Sequence, residues 1–256
     1  MKGLQKHQKI GLWIIAAGTI PALINFYIAS NTRVEESFWD KLVSTFDTSH
    51  DFFFDATPET AALRGGLMAA AAAIMFAGFI MLSLTRRPML KIVSILAGLS
   101  LAVTQILFID LSFWGVGDEV SGNLFAEIIL LRPDGYDGRA FLLIRVLPFT
   151  AAVMVLLILT LYKSTFKLGR WGGMVSAVAM LVQVAYFHYI DLADSQKFGA
   201  EPDKIAAATN YQVANALAPF FRIAVWAGLG GLMLFCVFTV LKKERDKEKK
   251  KLFGII

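Results

Sequence analysis

Apolar residues in this chain do not form one stripe per helix. They form nearly unbroken runs of about 20 positions, separated by polar segments that are alternately basic and acidic. The runs cover residues of about 10–30, 65–85, 89–113, 142–162, 171–192 and 220–241. A helix of roughly 20 residues, rising about 1.5 Å per residue, crosses a hydrocarbon core about 30 Å thick. Lipid offers the backbone no hydrogen-bond partners, and the short alternating segments of a β-barrel do not occur here, so each run is expected to be helical. The expected fold class is therefore all-α, a polytopic membrane protein with six transmembrane helices.

Composition agrees with this pattern. Of 256 residues, 57% are hydrophobic and 18% charged, with a mean hydropathy of +0.61. A soluble domain carries about 25% charged residues, so one transmembrane domain over 1–256 is the expectation. The basic start Met1 to Lys9 followed by an apolar run resembles a signal peptide. The run is longer than a typical h-region and lacks a small-x-small cleavage pattern, which makes it a retained signal-anchor helix.

Charge between the runs fixes an expected orientation. Residues 1–9, 86–91, 163–170 and 242–256 hold 16 of the 25 Lys and Arg. The opposite segments, 31–63, 111–141 and 193–219, hold fifteen of the 20 Asp and Glu. The positive-inside rule then places both termini in the cytoplasm and makes the acidic segments outer loops, as expected for a bacterial inner (plasma) membrane. The net charge of +5 does not imply nucleic acid, because the basic residues flank apolar runs. Residues 242–256 read as a basic cytoplasmic tail facing membrane lipids. In the outer loops, residues 38–46 and 123–131 place apolar side chains at helical spacing, so short interfacial helices are expected there.

A weak internal repeat is the most informative pattern beyond the spans. Phe108-Ile109-Asp110-Leu111 and Tyr189-Ile190-Asp191-Leu192 are 81 residues apart, as are Arg64 and Arg145, and Arg222 follows 77 later. Tyr27-Ile28-Ala29 fits the same frame with alanine at the aspartate position. Three helix-loop-helix units are the reading, related by an axis along the membrane normal. The repeat gathers Arg64, Asp110, Arg145, Asp191 and Arg222 into an expected polar cluster at the outer interface. There the arginines either snorkel and pair with the aspartates or line an outward-opening cavity.

His188, Asp191 and Asp194 follow at i, i+3 and i+6, which places them along one helix side. Imidazole with carboxylates suits a divalent metal, and Asp47, His50, Asp51 and Asp55 could join only if the fold brings them near. A hydrogen-bonded His–Asp pair is the plainer reading. Gly115-Val116-Gly117-Asp118 is similar, over four residues, to the GxGD string of intramembrane aspartyl proteases, but it falls in a loop and reads as a glycine-rich turn. Walker, Rossmann, HExxH and GxSxG patterns do not occur. The lone Cys236 lies within an apolar run and reads as a packing residue. Aromatic residues near the outer ends of the spans read as an interfacial belt or as a slot for a lipid tail or quinone.

The expected function is a non-catalytic integral membrane subunit, not an enzyme by itself, that packs with other membrane subunits in a larger complex. The alternatives are an outward-opening carrier or channel, and a metal-dependent or redox enzyme subunit with an outer-face His/Asp site.

Overall fold

The computed structural model describes residues 4–30, 58–112, 139–197 and 199–252. Six long α-helices account for nearly all of them: α1 (Lys6–Ser30), α2 (Pro58–Ser83), α3 (Pro88–Ser112), α4 (Arg139–Leu161), α5 (Lys167–Gln196) and α6 (Glu201–Leu252). One 3-10 turn, Tyr162–Ser164, joins α4 to α5. All six are long and apolar enough to cross a membrane, and no strand occurs among the described residues. This is a six-span helical membrane protein. The 38–46 and 123–131 segments, and the Gly115–Asp118 string, lie outside the described residues.

Each helix packs on its neighbours in chain order, and α6 closes against α1, so the six form a ring. Neighbours run antiparallel. Gly11 meets Gly78, Gly18 meets Met75, and Asn25 meets Arg64 along the α1–α2 seam. The α5–α6 seam runs likewise from Gly172 against Gly231 to the Tyr186 and Phe187 rings against Phe221.

Up-and-down order gathers Lys6, Arg86, Arg87, Lys163 and Lys242 at one end of the ring, called here the basic end. Two contacts tie it together: His7 Nε2 hydrogen-bonds the Leu84 carbonyl, and Lys242 Nζ donates to the Lys163 carbonyl at 2.8 Å. Beside them Thr165 and Thr239 hydroxyls, both buried, pair at 2.9 Å.

Local chemistry explains the helix limits. Pro58 and Pro88 open α2 and α3, where the missing N–H has no intrahelical partner to lose and the fixed φ suits a helix. At the start of α6, the Asp203 carboxylate accepts from the Ala200 N–H at 3.0 Å, half of a capping box, with Glu201 adding a favourable charge in the first turn.

Those signals bear on residues 193–219, read from sequence as an outer loop. Here α5 continues to Gln196, and α6 runs from Glu201 through the membrane for 52 residues. The polar stretch after Glu201 lacks glycine, and its only prolines are Pro202 in the first turn and Pro219. Nothing in it stops a helix from growing outward from the membrane. Asn210 Nδ2 donates to Gln196 Oε1 at 2.9 Å and ties this extension to the end of α5.

Candidate functional site: a polar interior and a charged flank

Within the apolar spans, most polar side chains turn inward. Leu12, Ile15, Met75, Phe79, Leu157 and Phe235 fill the half nearer the basic end and are fully buried. The half nearer the opposite, far end buries a different set: Asn25, Arg64, Gln105, Gln183 and Arg222, each no more than 5% exposed. Large apolar side chains such as Trp13, Ile92, Leu159, Val178 and Ile223 face outward. That inside-out arrangement is the one lipid solvent favours, because an amide or guanidinium finds no partner among acyl chains.

The three arginines of the expected cluster part company. Arg64 on α2 is 2% exposed, and its Nε donates to Asn25 Oδ1 on α1 at 3.4 Å. Its terminal Nη2 has no hydrogen-bond partner among the described residues. Arg222 on α6 is equally buried, beside the Phe221 ring that stacks on Tyr186 at 4.5 Å. Arg145 on α4 is exposed. Its guanidinium lies 3.2 Å from the Phe141 ring centroid and donates to the Phe141 carbonyl at 2.8 Å. Wrapping back one turn onto its own helix lets the side chain stay outside the ring and hold its charge against an aromatic face.

Asp191 on α5 is half-buried and within electrostatic reach of Arg145 and His188. The exposed His188 packs its ring edgewise on Tyr189 at 5.6 Å. The predicted cluster is therefore not gathered in one place, and Arg222 stays buried on α6 beside Phe221. Arg145, Asp191 and His188 mark the α4–α5 flank, whereas Arg64 joins Asn25 inside the α1–α2 seam. The side chains of Asp110 and Asp194, and residues Asp47, His50, Asp51 and Asp55, lie outside the described residues. Among the described residues no group of three His, Cys, Asp or Glu side chains converges as a metal site would.

Three further buried groups lie outside the set expected from sequence: Asn25, Gln105 and Gln183. Each sits on a helix running from the basic end to the far end, α1, α3 and α5 respectively. A carboxamide within an apolar run is a readable signal, because it must find a partner inside a bundle. Gln105 and Gln183 line a cavity of about 40 Å³ inside the ring, together with Thr104 and apolar residues including Phe26, Leu147 and Leu229. This cavity has no room for a quinone ring.

Fold and site together define a polytopic helical membrane protein with a polar interior toward one face. The chain matches no protein-family model, and comparison with curated proteins and with solved structures gives no match.

Proposed function

We propose that this chain is a non-catalytic integral membrane subunit that docks to partner membrane subunits through the α4–α5 flank. The observation that supports this reading is the exposed pair Arg145 and His188 with Asp191 between them, on a wall otherwise built of side chains such as Phe149, Leu156, Val178 and Leu181. Charged groups on a lipid-facing wall are costly unless they meet headgroups or polar groups of another chain. Partner docking uses the charges for register and the apolar wall for contact area.

The basic end is assigned to the cytoplasm by the same rule that counts Lys and Arg in short connectors, in a bacterial inner membrane. The chain is taken as three helix-loop-helix units. Closure of the ring in chain order is compatible with such units about a membrane-normal axis.

Purification from native membranes in mild detergent tests the proposal. A stoichiometric complex that dissociates in the Arg145→Glu variant is the expected result. A monomer unaffected by that change, with Arg145 contacting only lipid headgroups, overturns it. Protease protection of a C-terminal tag in sealed right-side-out vesicles checks orientation, since the tag should be cleaved only after permeabilisation.

The buried set Asn25, Arg64, Gln105, Gln183 and Arg222 favours a second reading, a carrier with an outward-opening vestibule. Solute-dependent thermal stabilisation of the monomer, lost in Arg222→Gln, would favour it over docking.

A further inference from the structure

The interior cavity lies deeper than the charged groups. Gln183 precedes Asp191 by eight residues on α5, about 12 Å of helix rise, and Gln105 lies a similar distance before the end of α3. It sits within the membrane-spanning part of the ring, where α3 and α5 face each other across the space instead of packing as neighbours. Gly228 widens it on the α6 side: a Cβ there would come within 3.8 Å of Gln183 Nε2.

The chemistry of the lining restricts its occupant. Gln105 is 4% exposed, and its Oε1 accepts no hydrogen bond from any described residue. Gln183 is 5% exposed. The Thr104 hydroxyl spends its proton on the Ser100 carbonyl at 2.8 Å, so its oxygen is left as an acceptor. The cavity thus offers carboxamide N–H donors and at least two acceptors, with no charged residue in its lining. A charged ligand would be desolvated here without compensation, and an apolar one would leave the amides unsatisfied. Volume sets the second limit. At about 10–15 Å³ per molecule in this measure, 40 Å³ holds about three waters and nothing much larger.

We propose that this cavity is a hydration site within the membrane, in which two or three ordered waters bridge Gln105, Gln183 and Thr104 and so link α3 to α5, which both flank α4, across the cavity. The ligand class is a neutral molecule of water size that donates and accepts at once. The bridge supplies what helix packing cannot, because the two glutamines sit on helices that are not neighbours.

The test is a high-resolution density map of the full-length protein in lipid nanodiscs, joined to a mutant cycle in the same protein. Peaks within about 2.7–3.2 Å of the Gln105 and Gln183 carboxamides are expected. Direct density between the two carboxamides, or an acyl chain in the cavity, overturns the proposal. In the cycle, Gln105→Leu and Gln183→Leu each lower the apparent melting temperature, since each leaves the opposite amide and its waters short of a partner. The double variant loses less than the sum of the two singles, because its cavity is dry and has no amide left to satisfy. Strictly additive losses show that no bridge links the pair. If a leucine variant fails to fold, Gln105→Met and Gln183→Met serve for the same comparison, and the map decides independently of both.

Discussion

The two halves of the ring hold their helices together by different means. Near the basic end the seams are closed by glycine. A Cβ built on Gly11 would lie 2.6 Å from the Gly78 carbonyl oxygen, and one on Gly78 would lie 2.7 Å from the Gly11 carbonyl oxygen. The Gly172–Gly231 pair repeats this reciprocal fit on α5 and α6. Each carbonyl approaches the glycine of the facing helix, a close approach at which Cα–H···O contacts form. Near the far end the seams are filled by large rings and polar groups: Tyr186, Phe187 and Phe221 between α5 and α6, Asn25 and Arg64 between α1 and α2. In lipid, helices gain little from simply burying apolar area, so contact distance and internal hydrogen bonds decide. One half uses distance and the other uses side-chain chemistry. The second half carries the buried guanidinium groups, Arg64 and Arg222, and the carboxamides Asn25, Gln105 and Gln183.

The largest effect should come from breaking a glycine seam. In Gly78→Leu the new side chain meets backbone of α1, which can yield only by moving the whole helix. A loss of about 3 kcal/mol or more is expected, measured as unfolding in mixed micelles of increasing SDS fraction. Gly66→Leu is the control. Gly66 lies on the same helix but is exposed, with no atom within 4 Å of a built Cβ, so its unfolding midpoint should stay near that of the parent protein. Equal losses in the two variants would show that helix propensity, and not close approach, sets the requirement.

Next comes the aromatic seam of the far half. Phe221 is 1% exposed and touches both Tyr186 and Phe187, so Phe221→Ala removes two ring contacts and opens a void. The loss should exceed 1 kcal/mol yet stay below the about 3–5 kcal/mol of a water-soluble core, because an unfolded membrane chain keeps its phenylalanine in lipid. The same unfolding assay reads it. A loss smaller than that of Asn25→Leu would reverse the ranking of rings over polar groups.

The physical basis of these contrasts also explains what could be read from sequence. Six spans were legible because a lipid solvent writes itself as runs of about 20 apolar residues, and helix type then follows from backbone hydrogen bonding alone. The extent of α6 was not legible from hydropathy. Residues 201–219 are polar enough to look like loop, and only the Glu201-Pro202-Asp203 start and the absence of glycine argue for helix. Arg64, Arg145 and Arg222 were legible as polar residues at one depth. Their rotational positions were not, since runs that are apolar all round leave no stripe from which to tell the inner face of a helix from the outer. Gln105 and Gln183 are visible in the sequence as single letters, but that both line one cavity depends on how α3 and α5 are rotated toward the interior on either side of α4, and span order alone does not fix that.

Asn25→Leu is expected to have a smaller effect than the aromatic change. It removes the acceptor of the Arg64 Nε hydrogen bond and leaves a buried guanidinium with one partner fewer, at a cost of about 1–2 kcal/mol. Adding Arg64→Met should recover part of that loss, because a charge with a missing partner is worse than no charge. No recovery in the double variant would mean that the amide packs there without serving the arginine.

Arg145→Gln should move stability least, by no more than about 0.5 kcal/mol in the same assay, although Arg145 follows the buried Arg64 by the same 81 residues that separate Asp191 from Asp110. The exposed guanidinium makes its hydrogen bond and ring contact within one turn of α4, and glutamine in its place can remain solvated by headgroups. A near-silent effect on the monomer is what makes Arg145 available to something outside the ring. A loss as large as that of Asn25→Leu would mean that Arg145 holds the bundle together through Asp191, and the α4–α5 flank would then be a structural seam with no surplus charge to offer a partner.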